Sequence, residues 1–329
     1  MHALNPYSGQ NFFSFFIVFA SRIWLLCTGE IGINDLVSDE IQVFVLSGVA
    51  VSSSLLGCYL VLRRMTMLAN ALSHTILLGI VLVYYFSVQG FLESSAESHL
   101  QLSIQSMLIA SLSMGILTTF LTEFLTKSAG LQEDASIGIV FTSLFSLGVI
   151  LVTLLTRNAH IGTEIVMGNA DALRLEDLKL VSAVLLLNVV LIALFYKEYK
   201  ITTFDSGLSK ALGFSPAFFN YLLMTQVSAT AIGGFRAVGV LMVLALMTGP
   251  SLIARLLTNH LKTMLLLSVG IGVLSAVTGV ALSRHFLSVS GLAFSTGGIV
   301  VCVIIALFIA TVLIKRVSKR QNKFSDRVA

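Results

Sequence analysis

Residues 41–88 read IQVFVLSGVAVSSSLLGCYLVL, then RRM, then TMLANALSHTILLGIVLVYYFSV. Two apolar runs are divided by Arg63-Arg64, and the second run carries Asn70 and His74. The hydrocarbon core of a bilayer is roughly 30 Å thick and takes about 20 helical residues to cross. Each run is long enough, and an arginine pair does not rest in lipid. The stretch predicts two membrane-spanning helices that turn at Arg63-Arg64.

Working outward, the same pattern continues. Apolar runs fall near 41–62, 66–88, 103–126, 136–156, 177–196, 217–234, 238–257, 263–283 and 297–314. A shorter run at 12–27 carries Arg22, so it is either a tenth span or a helix lying in the interface. The expected fold is all-α and polytopic, an integral membrane protein with about 9–10 transmembrane helices.

Composition agrees. Of 329 residues 56% are hydrophobic and 11% charged, with a mean hydropathy of +0.95. A soluble domain carries about 25% charged residues, so a water-soluble enzyme, a nucleic-acid reader and a disordered scaffold are all excluded. The net charge of +4 sits in clusters between apolar runs, where it controls topology rather than binding nucleic acid. Cys27, Cys58 and Cys302 are too scattered for a disulfide framework or a metal motif. The stretch from Asn11 to Cys27 lacks a basic leader and a small-x-small site, so no cleavable signal peptide is expected.

Orientation follows the basic residues. If 41–62 runs inward, the inner face receives Arg63, Arg64, Lys127, Lys197, Lys200, Lys210, Arg255 and Lys262, and the tail from Lys315 to Arg327. The outer face receives only Arg157, Arg174, Lys179, Arg236 and Arg284. The C-terminus is therefore expected in the cytoplasm. Acidic residues, among them Glu30, Asp35, Asp39, Glu40, Glu164 and Asp171, collect outside. They read either as solvated loops or as an outer mouth that attracts cations or docks a basic partner.

Within the apolar runs, His74 is the residue to explain. It lies ten positions past Arg64, which at 1.5 Å per residue is about 15 Å deep, near the midplane. Asn70 shares its helix face, four residues earlier. Imidazole suits zinc, manganese or iron, and an amide oxygen adds a weak, hard contact. The two do not complete a coordination sphere, and polar bonding between helices is the plain alternative. Glu123 is expected to snorkel, and Glu133-Asp134 to favour a helix N-terminus. Pro250 is expected to kink or break its span.

The polar segment 197–216 has local logic. Asp205 or Ser206 caps a short helix, Gly213 ends it, and Pro216 starts the next. Leu208, Leu212 and Phe214 make it a docking knob or an amphipathic loop on the membrane. No G-x-x-x-x-G-K-[ST] run occurs, so the chain is not expected to be an ATPase.

Further pieces stand in a recognisable order. Leu60 to Met65 and Ala71-Leu72-Ser73-His74 are followed by Glu133 to Ile139, then by Met167-Gly168-Asn169. Ala211-Leu212-Gly213 comes next, then Gly239-Val240-Leu241 with Pro250, and Ala254 to Leu257. Over about residues 35–315 the chain resembles the permease subunits of zinc/manganese/iron ABC transporters, the ABC-3 family. The resemblance implies a permease domain at 35–315, flanked by an N-terminal extension at 1–34 and a basic tail at 316–329. It implies a multi-pass subunit of a bacterial inner membrane, importing manganese, zinc or iron. Its expected partners are two cytoplasmic ATPase subunits, a periplasmic metal-binding lipoprotein, and a second permease, identical or homologous.

By the same resemblance His74 and Asn70 contact the transported ion, which is cargo rather than a resident cofactor. The segment at Asp205, Leu208, Ala211, Leu212 and Gly213 couples to the ATPase. Glu164 and Asp171 stand as candidates for the outer mouth. The chain departs from the family at Asn70, where an aspartate is usual, and at Leu78 in place of a proline. The alternative function is a proton-coupled metal transporter with His74 as relay.

Overall fold

The computed structural model describes residues 6, 7, 9–32, 35–88, 104–156 and 170–328. Among them the regular structure is entirely helical. In chain order it comprises α1 (Phe12–Thr28), α2 (Ser38–Leu62), α3 (Thr66–Val88), α4 (Ile104–Ser128), α5 (Glu133–Thr156) and α6 (Leu175–Leu194). The short helices α7 (Tyr196–Phe204) and α8 (Ser206–Ala211) follow, then α9 (Pro216–Val238), α10 (Val240–Leu257) and α11 (Leu261–His285). A π-type turn at Phe286–Ser290 leads to α12 (Thr296–Val328).

Each of the nine apolar runs corresponds to one helix, α2 to α6 and α9 to α12. Six of these, α2, α5, α6, α10, α11 and α12, are long and apolar enough by themselves to cross a membrane. The chain is an all-α polytopic membrane protein. Helix α1 has 17 residues, about 25 Å of rise, and is shorter than those six.

The helices form two compact units. The first comprises residues 1–58, 169–182 and 241–329; the second, residues 59–168 and 183–240. In the first unit α10 continues as helix through Pro250, so of the kink or break that the sequence predicts, the break does not occur. A proline has no N–H, so the carbonyl four residues back loses its helical partner. That carbonyl belongs to Leu246, and the Ser54 hydroxyl of α2 donates to it at 3.3 Å. Such outside donors let a helix tolerate proline at membrane depth. Gly57 makes the approach feasible, since a Cβ there would overlap the Met247 carbonyl. Ser251 and Ser268 both donate to the Ser54 carbonyl, at 3.1 and 3.3 Å, so α2, α10 and α11 are cross-linked at one level.

The same unit seats α1 against α11. Arg22 pairs with Glu40, whose side chain is 2% exposed. Glu40 also accepts from the Tyr7 hydroxyl at 2.9 Å and from the Val37 N–H at 3.0 Å. Burial, and then the carboxylate it faces, push the Tyr7 hydroxyl well above its usual range, so it stays a donor. Asp39 faces Arg284 at 3.7 Å. The sequence groups Asp39 and Glu40 with outer acids that are either solvated or part of an outer mouth; the structure buries both and opposes them with arginines.

In the second unit α3 packs against α5 and α4, and α4 against α9. Leu78, Met114, Val140 and Leu144 form a buried cluster between α3, α4 and α5. Asn188 of α6 donates to Thr230 of α9 at 2.7 Å, as interhelical polar bonds do in lipid.

Candidate functional site

His74 lies midway along α3 and is wedged against two phenylalanines of α5. Its ring centroid is 5.4 Å from Phe141 and 5.5 Å from Phe145, and those two rings stack at 5.8 Å. Phe141 and Phe145 are one helical turn apart, so they present one continuous aromatic wall. One turn beyond Asn70, and next to His74, Thr75 accepts a hydrogen bond from Thr118 of α4 at 3.1 Å. Helix α3 is thereby tied to α4 and packed on α5 at the level of the imidazole. Asn70 sits one turn earlier and is half-buried. Among the described residues no three histidine, cysteine or acidic side chains come together to hold a metal. The side chains at the two expected positions, His74 and Asn70, are one imidazole and one amide.

The second feature is the segment at the Arg63 end of this unit. Arg63 directs its three guanidinium nitrogens into three hydroxyl and amide oxygens: Nε to Thr203 at 3.1 Å, Nη2 to Thr202 at 3.0 Å and Nη1 to Asn220 at 3.3 Å. It ties the turn after α2 to the end of α7 and the start of α9. Sequence reading gave Arg63 only a topological role; its partners lie about 140 to 157 residues away, beyond any local pattern. Tyr199 closes the joint, its ring tilted against that of Tyr59 at 5.3 Å and its hydroxyl donating to Gln226 at 2.6 Å. Burial raises the Tyr199 hydroxyl well above its ordinary range and keeps it protonated.

Helix α8 stands on that base and is built as its sequence predicts. The Asp205 carboxylate caps it, accepting from the Leu208 N–H at 2.9 Å. Gly213 follows at φ +83°, a left-handed conformation that costs glycine nothing. Ser209 is buried and donates to the Phe214 carbonyl at 3.2 Å, while Ser215 and Pro216 open α9. The outward side is apolar: Leu208 is 49% exposed, Leu212 54%, Phe204 59% and Phe218 57%. Ala211 and Lys210 are exposed beside them, and Phe214 is half-buried. Four large exposed hydrophobics around a capped short helix make a surface that can bind an apolar cleft on another protein.

The outer-mouth candidates separate. Glu164 lies outside the described residues. Asp171, in the first unit, accepts from Gln42 at 3.0 Å and from Thr296 at 2.5 Å, and Thr296 also bonds Ser283 at 3.0 Å. Its carboxylate therefore joins the start of α2 to the start of α12.

Comparison with known proteins gives this geometry its setting. The sequence model of the ABC 3 transport family matches residues 40–315. The chain is 41% identical over 324 residues to a "Probable metal transport system membrane protein" of Chlamydia muridarum, covering 98% of this chain and 99% of the relative. It is also 41% identical to the "Manganese transport system membrane protein MntD" of Bacillus subtilis, over 70% of this chain and 78% of that one. Among solved structures, PsaBC from Streptococcus pneumoniae in complex with Fab is similar at a TM-score of 0.68 and 25% identity, covering 85% of this chain and 92% of that chain. The match across nearly the whole membrane region means that this chain belongs to the ABC 3 transport family.

Proposed function

We propose that this chain is the permease of an ATP-driven importer of a divalent transition-metal ion, manganese or zinc, and that the ion passes His74. The observation that carries the reading is the family match over residues 40–315, which includes the helix bearing His74. The wedged imidazole supports a ligand role, because its ring is held in place before an ion arrives and less ordering is needed on binding. The exposed apolar side of α8 supports docking on a cytoplasmic ATPase, with Leu208, Ala211 and Leu212 in contact and Asp205 and Gly213 holding the shape. The basic clusters at Arg63-Arg64 and from Lys315 onward support a cytoplasmic position for α8 and for the C-terminus. A metal-binding lipoprotein delivers the ion on the opposite face.

Alternating access then follows: the loaded binding protein and ATP favour different states, and the α8 joint transmits the bias. The pair at His74 and Asn70, with no carboxylate of its own, supports a second, homologous permease that contributes the missing carboxylate. The test is uptake of radiolabelled manganese or zinc in cells stripped of their own importers. His74→Ala is expected to lower ATP-dependent uptake by about tenfold or more while the complex still assembles, since a lost ligand costs at least ~1.4 kcal/mol. Undiminished uptake removes His74 from the path. Uptake driven by a proton gradient without ATP replaces this reading with the proton-coupled one.

A further inference from the structure

The second unit holds a cavity of about 190 Å³ at its Arg63 end, between α3, α4 and α9. Its polar lining is Thr119, Thr122, Glu123, Thr126 and Lys127 of α4 and Asn220 of α9. The threonine protons are already committed one turn back along α4. Thr119 donates to the Gly115 carbonyl at 2.8 Å, Thr122 to Thr118 at 2.8 Å and Thr126 to Thr122 at 2.9 Å, and Thr126 also bonds the Ser136 hydroxyl at 3.0 Å. A hydroxyl has one proton and two lone pairs, so what these groups have left to offer is acceptor oxygen. The Asn220 amide oxygen accepts from Arg63 at 3.3 Å. Glu123 adds a carboxylate: Oε1 pairs with Lys127, and Oε2 is buried without a hydrogen-bond partner.

An unpaired buried carboxylate oxygen among threonine oxygens with spent protons is an environment for a cation. The cation present is the Lys127 ammonium, on a side chain 71% exposed and free to swing outward. Resting on the proposed import pathway, we infer that this cavity is a transient second site for a hard, partly hydrated divalent ion leaving His74, and that Lys127 is its displaceable plug. Leu68, which also lines the cavity, and His74 are six residues apart on α3, about 9 Å of rise. The oxygens on offer outnumber the one sulfur, the Met65 thioether, and suit manganese; zinc prefers nitrogen and sulfur. At ~30 Å³ per water the volume accommodates such an ion with several of its waters. One carboxylate opposed by a tethered ammonium, with the Arg63 guanidinium on Asn220 as a second positive charge, makes binding weak, and an exit site must release what it takes.

The test uses the complex that co-purifies with this chain, in detergent, with Mn2+ alone as probe and its paramagnetic resonance signal as readout. His74→Ala is the background, so that the first site is silent. There Lys127→Gln is expected to lower the apparent Kd for Mn2+ by about tenfold, because a competing positive charge is gone. Adding Glu123→Gln is expected to abolish that gain. Thr122→Val, which leaves the ion pair intact, is expected to weaken Mn2+ in the Lys127→Gln background by about threefold through loss of a ligand oxygen. Unchanged affinity on Lys127→Gln, or a gain that survives Glu123→Gln, overturns the inner site. Neither result bears on His74 and uptake, so the pathway reading stands or falls separately.

Discussion

Ser54 shows how one hydroxyl decides whether a proline can sit inside a membrane helix. Pro250 leaves the Leu246 carbonyl without its helical N–H, and Ser54 replaces that donor from α2. Interhelical hydrogen bonds in membranes average about 0.6 kcal/mol and reach about 1.7. Ser54→Ala is therefore expected to cost roughly 1 kcal/mol in reversible detergent unfolding. Pro250→Ala restores the N–H, so Ser54→Ala should cost less in that background, with a coupling energy of about 0.5–1 kcal/mol. Additive effects would show that the 3.3 Å contact contributes nothing. His74 stood out in the sequence, because an ionisable residue at computed depth has few uses. Ser54 did not, since a serine among apolar residues gives no hint of a carbonyl orphaned 192 residues later. Pro250 was legible as a disruption, and its repair was not.

At the scale of elements, α8 was the most legible part of the candidate site. A cap, a helix end and a restart are all local chemistry, and Asp205, Gly213 and Pro216 take those places. The base under α8 was not legible, because Arg63 gathers Thr202, Thr203 and Asn220 from distant parts of the chain. Arg63→Lys keeps the charge that sets topology but loses the planar fork, and a single ammonium cannot meet three oxygens in that arrangement. The variant is expected to assemble normally while metal transported per ATP falls about twofold to fivefold, as a loss of roughly 0.5–1 kcal/mol of positioning implies. Leu212→Asp attacks the apolar contact itself and is expected to abolish metal-stimulated ATP hydrolysis in the purified complex. Normal stimulation in Leu212→Asp would mean that this surface is not the coupling contact. The acids at the head of α2 were misjudged for a related reason. Glu40 looks like a solvated N-terminal residue until α1 brings Arg22 to it.

For the whole molecule the question is how the proposed pair, His74 and Asn70, with no carboxylate of its own, would pass a doubly charged ion. Carrying an unpaired divalent charge into low dielectric is costly unless ionised ligands meet it. Among the described residues of this chain, no three histidine, cysteine or acidic side chains come together to hold a metal. A second copy of the chain would bring another histidine and another amide, doubling the ligands without adding charge. A homologous permease with aspartate at the position of Asn70 would bring the charge, giving a pathway with unlike halves. Affinity purification of this chain from its native cell, in mild detergent, is expected to recover an ATPase and a second permease in equal amount to the first. A transport-competent complex with this permease alone would reject the unlike halves and require the charge to come from elsewhere in the chain. In that case Asn70→Asp should tighten metal binding by about tenfold or more, the effect of adding a carboxylate within reach of the ion. In the mixed complex the gain should be smaller, because the partner's acid already opposes the ion and a second carboxylate beside it repels the first.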